Sequence, residues 1–387
     1  MEANEPKSLV GDWFYPTEVR FGAGRFGELG DACAVSGMAR PLLVTDRVLA
    51  DLPITQVALE AMERAGLGRA VFCDVDANPS EKNLGDASHV YREGKHDGVI
   101  AFGGGSALDL GKTLALMARQ TRPVWDFEKR EDWWKRADPN AIDPIVAVPT
   151  TAGTGSEVSR GCVISNAQTA EKKIIFHPRL LPTVAICDPQ LTVSMPAAIT
   201  AGTGMDAMAH CLEAYCSPVY HPMSRAIALE GMRLIKESLP TAYRDGADLT
   251  ARAHMMAAAA MGAVAFQAGL GAIHALSHPI GAMHHTHHGT TNATVMTQVL
   301  AFNRPAIEQE IARAADYLAI CGGFDGFVAY LEQLKETLSV PSSLRELGVK
   351  DPDIDRLVDG ILRDPCTATN PVEITRQGAA RLLEACL

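Results

Sequence analysis

Six of the twelve histidines in this 387-residue chain fall between His274 and His288, within GLGAIHALSHPIGAMHHTHHG (269–289). So dense a run of imidazoles suits metal coordination, a proton relay, or a solvated polar segment. Coordination needs partners from elsewhere, and GMDAMAHCLEAY (204–215) offers them. Read as a helix, it is apolar apart from Asp206, His210 and Glu213, whose spacings of four and three put them on one face. A carboxylate and an imidazole one turn apart on an apolar helix are costly to bury unless paired or coordinated. Alone, such a pair is more often a buried hydrogen bond than a metal site. The histidine-rich segment reverses those odds. His274 and His278 are one turn apart in IHALSHP, before Pro279 and Gly281 break the chain and HHTHHG returns it.

A second feature is VIAFGGGSALDLGK (99–112), where an apolar strand runs into Gly103, Gly104, Gly105 and Ser106 and then into a helix. Glycines let a phosphate approach the backbone, and a helix N-terminus offers it free N–H groups. Ser106 adds a hydroxyl donor. A polar loop follows a later strand, VPTTAGTGSEVS (148–159), with Thr150, Thr151 and Thr154 for hydroxyls and Gly153 and Gly155 for access. Two such loops at neighbouring strand ends predict a dinucleotide cleft. Asp46, in PLLVTDR, follows another strand; its carboxylate would accept from a ribose diol and repel the 2′-phosphate of NADP, so NAD is expected over NADP. GxGxxG itself occurs only at Gly22–Gly27, after a very short strand near Val19–Phe21, and reads as a turn.

The elements that must position these groups are legible as patterns. Candidate strands at Leu42–Thr45, Ala70–Cys73, Val99–Phe102 and Ile145–Val148 alternate with helical segments such as Ile54–Ala65 and Leu84–Glu93. That alternation predicts a doubly wound, Rossmann-like parallel sheet. After VAICDPQLTVSMP (184–196) strand-like runs nearly vanish and the chain turns Ala-, Met- and Leu-rich. The expected organisation is an α/β dinucleotide-binding domain over 1–188 and an all-helical metal-binding domain over 189–387. The aromatic and charged VWDFEKREDWWKR (124–136) reads as a surface loop or short helix. A net charge of −11 excludes a nucleic-acid partner. MEANEPKSLVGDW lacks the apolar core of a secretory signal, and the apolar run Met255–Phe266 is too short to span a membrane and reads as a buried helix. Nine cysteines without a CxxC pair suit a reducing compartment, so a cytoplasmic location is expected.

Taken together, GGGSALDLGK, VPTTAGTGSE, TAGTGMDAMAHCLEAYCS and GLGAIHALSHPIGA…HHGTTNA resemble the iron-containing (group III) alcohol dehydrogenases over essentially the whole chain. The resemblance implies metal ligands at Asp206, His210, His274 and His288, and a proton-handling role near the nicotinamide for His278. It implies nucleotide contacts at Asp46, Asn78, Gly104, Gly105, Ser106, Asp109, Thr150, Thr151 and Lys173. It also implies Fe²⁺, with Zn²⁺ as the alternative ion, a small alcohol or aldehyde substrate, and a homodimer or higher homo-oligomer. One carboxylate and three neutral imidazoles leave a divalent ion an open position for Lewis-acid chemistry. Glu213 would either accept from a ligand imidazole or form a plain helix salt bridge. Two departures stand out. His284, His285 and His287 are extra and are expected to be solvent-exposed, or one of them to line the pocket; Val372 replaces a common arginine. The competing readings are a metal- and NAD-dependent lyase or cyclase resembling dehydroquinate synthase, and a non-catalytic metal-binding protein. The first needs basic pocket residues, and between 204 and 293 only Arg225, Arg233, Lys236, Arg244 and Arg252 are available, none within the metal motifs.

Overall fold

The structure is a computed structural model that describes residues 15, 17–168, 171–350 and 352–387. The stretch Met1–Trp13, read above as no secretory signal, lies outside the described residues. Parallel pairing joins β1 (Glu18–Phe21), β2 (Leu42–Val44), β3 (Val71–Phe72), β4 (Val99–Gly103), β5 (Ile145–Pro149) and β8 (Val184–Cys187) into one sheet. Its order is β1-β8-β5-β4-β2-β3. The uninterrupted apolar runs follow from burial on both faces. Val99, Ala101, Ile145 and Ala147 pack into one layer, and Ile100, Phe102, Val146 and Val148 into the other. The first layer is covered by α4 (Glu81–Glu93) and α5 (Gly105–Met117), the second by α1 (Leu29–Val35) and α3 (Pro53–Arg64). The four-residue α2 (Arg47–Ala50) follows β2 directly. The chain moves outward from β2 to β3 and returns to β4 on the other side of β2, so the sheet reverses direction between β2 and β4. Loops at the carboxyl ends of those strands form the crevice where such sheets bind ligands.

An antiparallel hairpin, β6 (Gly161–Asn166) and β7 (Glu171–Phe176), interrupts this alternation and was not expected. β6 alternates between half-buried and buried but β7 is half-buried almost throughout, so the hairpin as a whole carries no clean periodicity. The hairpin packs on α5. Two charged residues of α5 hold it there. Lys112, fully buried, donates to Ser156 O (2.8 Å), Ser156 Oγ (3.0 Å) and Gly161 O (3.0 Å). Asp109 accepts from Ser156 Oγ (2.6 Å) and from the Val163 N–H (2.8 Å). The 124–136 segment forms two short 3₁₀ helices, Val124–Phe127 and Trp133–Arg136, in keeping with its reading. The Lys129 N–H donates to Ile174 O (2.7 Å) and fastens this segment to β7.

Beyond β8 every regular element among the described residues is helical: α6 (Ala197–Cys216), α7 (Pro222–Arg244), α8 (Leu249–Ala265), α9 (Ala272–His284), α10 (His288–Tyr317), α11 (Gly323–Thr337), α12 (Ile354–Arg363) and α13 (Arg376–Cys386). They share one apolar core with α6 inside it. Leu249–Ala268 is long and apolar enough to cross a membrane, yet α8 packs against α6 and α7, as a core helix does. All nine cysteines are unpaired. Gly22 and Gly24 have φ of +139° and +81° in a turn after β1, so the GxGxxG match is a turn as expected.

The Lys112 contacts yield a stability test. Lys112→Met leaves Asp109 buried without its cation, and a loss of roughly 3 kcal/mol is expected in denaturant unfolding. Lys82→Met, which removes an exposed pair with Asp86, should change stability by under about 1 kcal/mol. Equal effects would mean that Lys112 is not the staple.

Candidate active site

Asp206 sits three per cent exposed at the middle of α6, and three imidazoles turn toward it. The Nε2 atoms of His210, His274 and His288 lie 3.9, 3.7 and 3.5 Å from Asp206 Oδ1. Partners behind the rings fix which nitrogen is presented. Glu213 Oε2 contacts His274 Nδ1 at 2.5 Å, and its Oε1 accepts from the Ile273 N–H (2.7 Å). Glu213 is therefore the acceptor behind a ligand ring, not a plain helix salt bridge. Ser277 Oγ lies 3.4 Å from His288 Nδ1. Asn292, one turn after His288, puts Nδ2 2.7 Å from Asp206 Oδ1 and 3.3 and 3.2 Å from Nε2 of His274 and His288. A donor thus sits where the Asp206 carboxylate and the Nε2 atoms of His274 and His288 converge, and this donor set fits a divalent cation. Burial opposes charge at every one of these groups. It pushes His210 down to about 4; in His274, Glu213 and Asp206 outweigh it and hold the ring up at about 10. The surrounding imidazoles likewise overcome burial at Asp206 and keep it ionised.

The ligands meet because two helices touch backbone to backbone. A Cβ on Gly289 would lie 2.1 Å from Gly202 O and 3.0 Å from Asp206 Cβ. On Gly202 it would lie 2.6 Å from the His287 ring. Side chains of ordinary size at these positions would part α6 from α10, and with them Asp206 from His288.

His278 stands beside the cluster and outside it. Its ring stacks on His288 at 5.4 Å between centroids, and Nδ1 contacts Asp364 Oδ2 at 2.8 Å. Burial would raise the Asp364 carboxyl, but His278 more than offsets it, so Asp364 is ionised and accepts from Nδ1–H. In the neutral ring the other nitrogen carries a lone pair. Of the extra histidines, His285 is exposed and ends α9 in a left-handed conformation (φ +55°). His284 is half-buried. His287 is exposed, in keeping with the solvent-exposed reading. It is also the N-cap of α10, its Nδ1 accepting from the Thr290 N–H (3.3 Å), one residue before a ligand.

The nucleotide loops come together at the sheet reversal. Gly103 O accepts from the Thr150 N–H (3.0 Å), and Ser106 Oγ donates to Ala77 O (2.6 Å), drawing the loop that holds Asn78 alongside. The Ser106 hydroxyl expected for a phosphate is thus engaged, whereas no side chain caps the first turn of α5. Gly104 and Gly105 serve loop packing first, because Cβ atoms there would lie 3.3 and 2.6 Å from Thr151 and Thr154. Asp46 ends β2 and caps α2 through Oδ1 (2.9 Å to the Leu49 N–H), leaving Oδ2 for a ligand. Asp109 spends both oxygens on Ser156 and Val163. Lys173 points away from this cleft, paired with Glu128 (3.3 Å) and Glu171 (3.8 Å). Strand alternation gives the inward place to Lys172, which feels both Asp206 and Asp109 and whose ammonium lies 3.6 Å from where a Cβ of Gly281 would be. Lys172, one residue along the strand from the expected contact Lys173, is thus a second candidate for the nucleotide.

Residues 16–189 match the pattern of "Iron-containing alcohol dehydrogenase", and residues 200–387 match "Fe-containing alcohol dehydrogenase family, C-terminal". The chain belongs to the iron-containing alcohol dehydrogenase family. It is 39% identical over 381 residues to 4-hydroxybutyrate dehydrogenase of Cupriavidus necator, covering 96% of this chain and 98% of that one. It is 34% identical to 1,3-propanediol dehydrogenase of Klebsiella pneumoniae, covering 96% and 97%. A crystal structure of 1,3-propanediol oxidoreductase superposes with a TM-score of 0.92 at 33% identity, covering 98% and 100%. This iron-containing alcohol dehydrogenase is thus an oxidoreductase of alcohols and aldehydes. Its Val372 offers a carbonyl to Asn370 Nδ2 (2.7 Å), and Asn370 also bonds reciprocally with Asn303, so the segment is held without an arginine.

Two outcomes are expected from this geometry. Gly289→Ala gains about 1 kcal/mol of helix propensity, but the 2.1 Å contact should wedge α6 from α10 and lower metal occupancy severalfold. Full occupancy would show that the helix contact does not set the site. Burial lowers the Lys172 pKa to about 8 from 10.5, a penalty on the charged form felt fully below pH 8 and lost by pH 10.5. Lys172→Met should therefore raise Tm at pH 7, the gain fading as pH rises, while weakening NAD binding. Weakened binding in Lys173→Met alone would return the role to Lys173.

Proposed function

We propose that this chain is an NAD-linked, Fe²⁺-dependent dehydrogenase of small primary alcohols, diols or hydroxy acids. The observation that carries this reading is the convergence of His210, His274 and His288 Nε2 on Asp206 Oδ1, beside an oriented His278. Asp206, His210, His274 and His288 would hold the ion, which supplies Lewis-acid polarisation of the substrate oxygen. Fe²⁺ is favoured by family membership; Zn²⁺ ranks higher in general affinity and suits the same donors.

The remaining chemistry belongs to the chain. His278, oriented by Asp364, takes the hydroxyl proton on its second ring nitrogen and passes it toward solvent. The open first turn of α5 receives the pyrophosphate through the N–H groups around Gly104, Gly105 and Ser106. Asn78, Thr150 and Thr151 flank that turn, and Asp109 and Lys112 hold it against the hairpin. Asp46 accepts from the adenosine ribose and disfavours NADP.

The test joins metal content to nicotinamide absorbance over a panel of primary alcohols, diols and ω-hydroxy acids. Turnover with NAD is expected in the wild type, with loss of both ion and turnover in His274→Ala and His288→Ala. Asp46→Gly should shift preference toward NADP by about tenfold, or ~1.4 kcal/mol. A metal-loaded protein that turns over no alcohol or aldehyde would favour the non-catalytic reading. A wild type preferring NADP would overturn the role of Asp46.

A further inference from the structure

Beside His278 the protein opens a cleft bounded by the 128–130 loop, β7, α9 and α12. Its charge is unlike that of the chain. Lys129, Arg130, Lys172, Lys173, Arg356 and Arg363 line it against three carboxylates, a formal +3 (six minus three) in a protein of −11. Those carboxylates are engaged. Glu128 holds Arg130 (2.9 Å) and Lys173 (3.3 Å), Glu171 holds Arg363 (3.2 Å), and Asp364 holds His278 (2.8 Å). Among the described residues, no carboxylate lies within 4 Å of the side-chain nitrogens of Lys129 or Arg356.

Like charges gathered round one cleft repel each other, and low-dielectric walls focus their field on whatever enters. Such a field selects an anion. Asp46, Gly103–Ser106 and the threonines of the 150s loop do not line this cleft; with Lys172 a candidate for the nucleotide, Lys129 and Arg356 are the cations left for another anion. An anion held by these two side chains would come with the substrate, because His278 lines the same cleft.

We propose that the substrate is an ω-hydroxy carboxylate, oxidised reversibly to the ω-oxo acid, with its carboxylate held by Arg356 and Lys129. Arg356 supplies a planar fork matched to two carboxylate oxygens, and Lys129 a point charge. The hydroxyl-bearing carbon gives a hydride to NAD and its O–H gives a proton to solvent by way of His278, leaving an aldehyde; the carboxylate does not react. This assignment rests on the dehydrogenase reading above.

The experiment compares kcat/KM for 4-hydroxybutyrate and 1-butanol, matched in length, using the metal-loaded wild-type enzyme and NAD. The acid is expected to lead by at least about tenfold, and the lead to shrink as salt screens the cleft. Arg356→Gln and Lys129→Gln should each cut that ratio severalfold, through KM for the acid more than through kcat. Arg304→Gln, which breaks exposed pairs with Glu308 and Asp325 elsewhere, should leave the ratio as it was. Brisk oxidation of 1-butanol with no preference for the acid, or a ratio indifferent to both cleft variants, overturns this inference and leaves the dehydrogenase standing. No turnover of either substrate or of the wider alcohol panel overturns the dehydrogenase itself.

Discussion

The closeness of α6 and α10 at Gly202 and Gly289 is the constraint on which the rest of the site depends. With no Cβ on either residue the backbones come into contact, and the helices cross where one carries Asp206 and the other begins with His288. Helix pairs separated by ordinary side chains lie 8–10 Å apart, so side chains at these two positions would shift Asp206 relative to His288. The cost is two glycines inside helices, of about 1 kcal/mol each. The surrounding core, with α6 at its centre, offsets that cost many times over.

Once the helices are set, orientation falls to a ring of polar partners, each from a different element. Glu213 comes from α6, Ser277 from α9 and Asn292 from α10, while Asp364 lies just past α12. This matters electrostatically. An ionised Asp206 in an apolar core would be costly by itself, and it stays ionised because three rings face it. The pairing of His278 with Asp364 works similarly at the edge of the cluster, where it fixes a tautomer without joining the ligand set.

The layers were readable from sequence because burial on both sheet faces leaves unbroken apolar runs, as at Val99–Gly103, and because strand patterns cease after Cys187. The ligand helix was readable because polar residues at spacings of four and three contrast with an apolar surface. Other parts were not readable, each for a physical reason. The β6–β7 hairpin is half-exposed and carries no clean alternation. Lys172 and Lys173 differ only in which way a strand side chain points. Asp364 is separated by 86 residues from the histidine it orients, and nothing local in DPCTATNP announces that contact. The capping role of His287 was not readable, because capping depends on where a helix begins and a histidine is an uncommon N-cap.

Charge placement shows the same limit on a larger scale. Between 204 and 293 no lysine or arginine falls within a metal motif. Yet cations from three other parts of the chain, around 129, 172 and 356, gather beside His278. Net charge conceals them, because −11 is a sum over the whole surface and the cleft contributes +3 to it. What a pocket selects depends on the local field, and that field is assembled by tertiary structure from residues whose sequence neighbours give no hint of it. The metal chemistry of this family is written in contiguous motifs because one helix and one returning segment supply every ligand. The cations of the cleft beside His278 come instead from a loop, a hairpin and a helix, so each can change without disturbing Asp206 and its three histidines.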